Sequence, residues 1–151
     1  MLHFTGQEKF LQSPIKIWEH LVNIEILARC IPGLEKIENT EPQKLSFHVR
    51  PGFSFLQGTL KCTLEIVDEQ APWRLRLLVH SKGIGSSAKV AIPLELSTSE
   101  AGTRLAWTVE IQELGGLLKP LGKSLVTSAA KKVFEDTWKA FHAAINTEVS
   151  R

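Results

Sequence analysis

The stretch LQGTLKCTLEI, residues 56–66, decides the fold. Its even positions, Leu56, Gly58, Leu60, Cys62, Leu64 and Ile66, are apolar or small, while Gln57, Thr59, Lys61, Thr63 and Glu65 are polar. Successive side chains of a strand point to opposite faces, so a period of two marks a strand with one dry face and one wet face. The same alternation surrounds this stretch. Upstream, Leu45, Phe47 and Val49 alternate with Lys44, Ser46, His48 and Arg50. Downstream of an Ala71-Pro72 turn, Trp73, Leu75, Leu77 and Val79 alternate with Arg74, Arg76 and His80. Beyond Gly83 and Gly85 come Ala88, Val90, Ile92, Leu94 and Leu96, and beyond Ala101-Gly102 come Leu105, Trp107, Val109 and Ile111. Consecutive runs of this kind joined by short turns predict an antiparallel sheet.

The flanks differ. Residues 2–11, with Phe4, Phe10 and Leu11, read as one more strand, which stops at Ser13-Pro14. Serine is a favoured N-cap, and proline suits the first helical position because its missing N–H has no partner to lose there. Ile17, Trp18, Leu21 and Val22 then predict a short helix, and Ile24, Leu27, Ala28 and Ile31 a second one after Asn23, closed by Pro32-Gly33. After Gly115-Gly116 the period lengthens. Leu118, Leu121, Leu125, Ala129 and Val133, continued by Phe134, Trp138, Phe141 and Ile145, predict a long amphipathic helix. Lys119, Lys123, Lys131, Lys132 and Lys139 lie mostly off that stripe. Pro120 must then sit in the first turn or kink the helix.

Strand, two short helices, six further strands and one long helix predict an α+β fold: a curved seven-stranded antiparallel sheet around a long C-terminal helix. One helix cannot cover seven flat strands, so the sheet must curl, with Gly52, Gly58 and Gly83 as candidate bends. Small inward residues (Gly58, Cys62, Ser81, Gly83, Ala88) among oily ones predict space between sheet and helix, near the short helices. An apolar cleft with few polar groups is the usual form of a small-molecule site. The expected lining is Leu60, Leu75, Leu77, Ile92, Trp107, Leu118, Leu121 and Leu125, with the mouth near Ile31, Pro32 and Gly33. The alternative, a helix that fills the sheet and leaves no such space, stays open.

Composition narrows the function. A chain of 151 residues fits one domain, 1–151, and should bury about 68–70% of its unfolded surface without a disulfide or metal. Lys and Arg number 18 against 16 Asp and Glu, a net +2. That excess is too small for a nucleic-acid binder. No apolar run approaches the roughly 20 residues of a spanning helix, and no secretory leader precedes the first strand, so a cytoplasmic protein with at most peripheral contact at the inner face of the membrane is expected. Cys30 and Cys62 are too few for a disulfide framework and lack metal-ligand spacing, so neither metal nor cofactor is expected.

Ser-His-Asp order, His-Glu-x-x-His and a phosphate-cradling glycine loop are all missing. His48, His80, Glu65, Glu95 and Glu110 fall on the wet register. The polar residues of the dry register are Ser81, Thr103 and, if the first strand keeps its phase, Glu8. A non-catalytic binding protein is therefore expected. The alternative is an enzyme working in the same cavity with Glu8 as its base, which requires a buried Glu8. Lys119 and Lys123 read as a solvated helix face, or as a dock for a partner or an anionic headgroup.

The element order resembles the helix-grip fold of the START and polyketide-cyclase-like (SRPBCC) superfamily, and within it the carbon monoxide dehydrogenase G-subunit (CoxG) family. The resemblance rests on Phe4, Gly6, Pro14, Ile17-Trp18 and Cys30-Ile31-Pro32-Gly33, then Phe55, Gly58, Pro72, Gly83, Gly85 and Thr103. Gly115-Gly116, Leu121-Gly122, Phe134 and Phe141 complete it. It spans nearly the whole chain, and its specific parts are Ile-Pro-Gly and Gly-Gly…Leu-Gly. Lys89 and Ala91, standing where another glycine is expected, and Pro120 depart from it. The resemblance implies binding of a quinone- or lipid-like molecule in the service of a molybdenum hydroxylase of the carbon monoxide dehydrogenase type, through membrane recruitment or electron transfer to quinone. It makes an aromatase/cyclase-like activity the enzymatic alternative. Many family members carry a C-terminal extension thought to reach the membrane. This sequence ends at Arg151, so stable membrane attachment is not expected.

Overall fold

The computed structural model describes residues 2–53 and 56–149, which leaves Phe55 outside the described residues. The chain runs β1 (Leu2–Phe10), α1 (Pro14–Leu21), α2 (Ile24–Arg29), β2 (Leu34–Glu41), β3 (Lys44–Val49), β4 (Leu60–Gln70), β5 (Arg74–Gly83), β6 (Ser86–Ser99), β7 (Gly102–Gly116) and α3 (Lys123–Val149). Among the described residues, seven strands form one sheet in the order β1-β7-β6-β5-β4-β3-β2, every neighbouring pair antiparallel. This is the helix-grip architecture that the element order predicts.

Local chemistry places the short helices. Ser13 caps α1, its hydroxyl accepting from the Lys16 N–H at 3.4 Å. The Asn23 side chain accepts from the N–H groups of Glu25 and Ile26 at 3.0 and 3.2 Å, which starts α2 where α1 ends. Each such cap is worth about 1 kcal/mol. β2 is an edge strand with two register shifts, and all but its first residue are exposed. With no face to bury, it shows no alternation.

Three expectations need correction. The strand expected from Leu56 begins at Leu60. Leu56 is buried, but it sits in the loop bridged to Phe53, and Gly58 adopts a φ of 120° that a regular strand does not use. The odd-numbered inward set of β7 shifts to even after Ile111. Lys89 pairs with Glu113 while Val90 pairs with Ile111, so Gln112 is the extra residue of a bulge and Leu114 joins the inner face.

The long helix, finally, begins at Lys123. Pro120 neither opens nor kinks it. Its ring disfavours helical geometry at Lys119, and residues 117–121 form turns held by Leu118 N–H to Gly115 O (3.3 Å), Lys119 N–H to Gly116 O (3.1 Å) and Leu117 N–H to Gly85 O (2.9 Å). Leu118 and Leu121 therefore precede the helix. Within it Leu125 is 43% exposed and Val126 is buried, one residue off the expected phase, whereas Trp138, Phe141 and Ile145 are buried as the stripe predicts.

Candidate functional site

The inner face of the sheet is built from rows of cross-strand partners. Val49, Leu60, Gly83, Ser86 and Gly116 form the row at one end. Phe47, Cys62, Ser81, Ala88 and Leu114 come next, then Leu45, Leu64, Val79, Val90 and Ile111. Farther on stand Leu77 opposite Ile92, and Leu75, Leu94, Trp107 and Gly6.

Packing divides this wall in two. Leu77 and Ile92 are 9% and 4% exposed, and beyond them α1 and the end of α3 seal the core with Ile17, Leu21, Phe141 and Ile145. The next rows toward the glycines are looser. Val79, Ser81, Ala88, Val90 and Leu114 are only half-buried, although β5 and β6 are inner strands of the sheet. Ile31, Leu34, Val49, Phe53, Ile84 and Leu121 are also half-buried and pack against the core. The glycines belong to this end. Gly83 lies beside Leu60 and the Thr59 carbonyl, a side chain on Gly58 would meet Ile84, and one on Gly85 would meet Leu117. The filled region is thus the α1 side, and the uncovered apolar wall lies where β5 turns into β6 and β7 leads into α3.

Of the expected lining, Leu60, Leu75, Leu77 and Ile92 are buried on this inner face, Leu118 is buried in the turns, and Trp107 and Leu121 are half-buried. Ile31 and Pro32 are half-buried, while Gly33 and Leu125 are exposed. The set does not converge on one point. Leu60 faces Gly83, eight residues along β5 from Leu75, which is about 27 Å at roughly 3.4 Å per residue.

Trp107 centres an aromatic stack. Its ring lies 6.0 Å from Phe134 at 17° and 6.1 Å from Trp138 at 29°, with Phe4 edge-on at 5.9 Å. Gly6, its cross-strand partner, makes room for the indole, since a Cβ there would overlap the ring. The Trp107 Nε1–H donates to Glu8 Oε2 at 3.2 Å. Glu8 Oε1 lies 2.9 Å from His142 Nε2, and His142 stacks on Phe10 at 4.4 Å.

Glu8 keeps the strand phase and points inward, its side chain 20% exposed. It serves as a double acceptor tying β1, β7 and α3. Sequence reasoning singled out Glu8 and missed His142, whose only signal is its place beside Phe141 on the helix. Thr103, the other inward polar residue, is fully buried, and its hydroxyl donates to the Gln12 carbonyl at 2.7 Å. Burial pushes the thiols of Cys30 and Cys62 up to about 11, which keeps them protonated and unreactive.

Among the described residues, no helix is long and apolar enough to cross a membrane, and no three His, Cys, Asp or Glu side chains gather as metal ligands do.

A family model described as the carbon monoxide dehydrogenase G-subunit (CoxG) matches residues 6–146. No curated protein matches the chain. Among solved structures, a conserved protein from Geobacillus kaustophilus superposes with a TM-score of 0.86 at 22% identity, covering 97% of this chain and 96% of that one. A protein from Mycobacterium smegmatis gives 0.69 at 11% identity over 97% and 92% of the two chains. One from Rhizobium loti gives 0.67 at 17% over 94% and 95%. At these identities the neighbours share the fold.

Proposed function

The chain belongs to the carbon monoxide dehydrogenase G-subunit (CoxG) family, and from that premise we propose that it binds an apolar, quinone- or lipid-like molecule between the sheet and α3 without acting on it chemically. It does so as one domain, 1–151, in the cytoplasm, as an accessory to a molybdenum hydroxylase of the carbon monoxide dehydrogenase type. Its service is recruitment to the membrane surface by peripheral contact, or passage of electrons to quinone.

The observation behind this reading is the half-buried pair Val79 and Val90. They face each other across the inner strands β5 and β6 on the dry face, one row from the sealed Leu77 and Ile92. Apolar surface left in contact with water forgoes about 25 cal/mol per Å², so a flat apolar guest laid against this row is stabilised by covering it. Leu60, Leu118 and Leu121 border the open end, with Ile31, Pro32 and Gly33 at the mouth. Leu75, Leu77, Ile92 and Trp107 form the floor, and Leu125 the exposed rim. Oily walls discriminate weakly between similar shapes, which suits a carrier of long-tailed molecules.

Titration with menaquinone, followed by tryptophan fluorescence in the wild type and in Trp107→Phe, tests the reading, with native mass spectrometry on mildly purified protein beside it. Saturable quenching carried by Trp107, or a retained lipid or quinone mass, is expected. No saturable response to menaquinone or to phospholipid overturns it.

The inward position of Glu8 favours a second reading, an aromatase/cyclase-like enzyme in the same cavity with Glu8 as base. Both Glu8 oxygens are engaged by Trp107 and His142, so a base at this position must first give up one of these partners.

A further inference from the structure

The outer face of the sheet carries a depression of about 660 Å³, on the side of the strands turned away from the core. Two rows of outward side chains cross it. In one, Lys61 on β4 stands directly opposite Lys82 on β5, which in turn faces Ser87 on β6. In the other, Ser46, Thr63, His80, Lys89 and Glu113 follow one another from β3 to β7.

Like charges directly opposite on antiparallel strands destabilise the pair, and outer sheet faces ordinarily alternate signs. Here only part of the repulsion is relieved. Glu38 reaches Lys61 at 3.9 Å while also pairing with His48, and Glu113 reaches Lys89 at 3.4 Å. Among the described residues Lys82 has no carboxylate within ion-pair distance. The depression thus holds three lysines against two glutamates, with His80 between them. The hydroxyls of Ser46, Thr63 and Ser87 line the same space. Gly115, paired with Ser87, leaves the room its hydroxyl occupies, since a Cβ there would overlap it.

We propose that this depression is a binding site for a phosphate-class oxyanion, held by Lys82 with Lys61 and Lys89 beside it and by hydroxyls donated from Thr63 and Ser87. An oxyanion placed between Lys61 and Lys82 turns their repulsion into two charge-assisted hydrogen bonds. The volume exceeds that of bare phosphate, so the anion belongs to a larger molecule, either a free phosphorylated compound or a lipid headgroup. The site stands on the face opposite the apolar wall and does not depend on the carrier reading. It is open to solvent, so salt screening weakens it.

The test is thermal unfolding of the wild type, Lys82→Ser and the control Lys139→Ser, with pyrophosphate added against sodium chloride at equal ionic strength. Parallel co-sedimentation with phosphatidylglycerol and phosphatidylcholine vesicles separates the two sources. Pyrophosphate should raise Tm saturably in the wild type and in Lys139→Ser, with at least tenfold weaker apparent affinity in Lys82→Ser. Without the anion, Lys82→Ser should be as stable as the wild type or more so, because a like-charge contact is gone. Lys82-dependent sedimentation with phosphatidylglycerol that pyrophosphate competes away identifies a headgroup, and a pyrophosphate response without it identifies a free phosphorylated compound. A Tm response no larger than that to chloride, or one equal in Lys82→Ser and the wild type, overturns the site.

Discussion

Glu8 on the edge strand β1 and His142 on α3 face each other at 2.9 Å across 134 residues of sequence. The second Glu8 oxygen takes the Trp107 N–H from β7, so one carboxylate joins the sheet edge, its neighbour and the covering helix. Glu8→Ala leaves two half-buried polar groups without that partner and should cost about 1–2 kcal/mol, while Glu8→Gln, which keeps an acceptor for Trp107, should cost less. Urea unfolding measures both. Equal stability of all three proteins would mean that the tie contributes nothing to holding α3.

Gly6 lies beneath Trp107, and a methyl group there overlaps the indole. Gly6→Ala forces the ring out of its stack with Phe134 and Trp138, with an overpacking cost of about 1–3 kcal/mol. A lower Tm together with a shifted tryptophan emission maximum is expected. An unchanged emission spectrum would show that the stack has slack to absorb the methyl.

Cys30 and Cys62 make stability depend on alkaline pH. Burial raises both thiols to about 11, above the roughly 8.5 of an unfolded cysteine. The sign follows from proton binding. Between these values the unfolded chain releases the protons that the native chain retains, so the contribution is complete below about pH 8.5 and is lost as pH rises toward 11. About two pKa units correspond to roughly 2–3 kcal/mol per thiol. The urea midpoint should fall between pH 9 and 11, and the fall should be about halved in Cys62→Ala. Iodoacetamide at pH 8 should label both cysteines readily only in denaturant.

How far the sequence could be read depended on whether each signal was local. β3 to β7 announce themselves because each buries one face, so alternate residues had to be apolar. β2 carries no such pattern because its side chains are exposed at an edge, and only the element order implies it. Pro120 was visible, but its effect depended on the hydrogen bonds of residues 117–121 to Gly115, Gly116 and Gly85, which no periodicity reports. The direction of Glu8 follows from strand phase alone. Its partners do not, because His142 and Trp107 come near only once the helix lies across the sheet. The opposed Lys61 and Lys82 were likewise hidden, since register between strands decides which wet-face residues meet.

The looseness of the inner wall can be separated from the rest of the core by two substitutions one row apart. Leu77 is sealed, so Leu77→Ala should leave a cavity and cost about 2–5 kcal/mol. Val90, one row nearer the glycine end, is half-buried, and Val90→Phe sends its larger ring into the space offered to the guest. There the stability change should stay within about 1 kcal/mol, because the added surface meets no packed neighbour, while the menaquinone response should weaken at least tenfold. If Val90→Phe instead costs the roughly 1–3 kcal/mol of an overpacked interior, α3 already occupies that space. The molecule is then an interaction protein with a filled core, and the carrier reading falls with the cavity it needs.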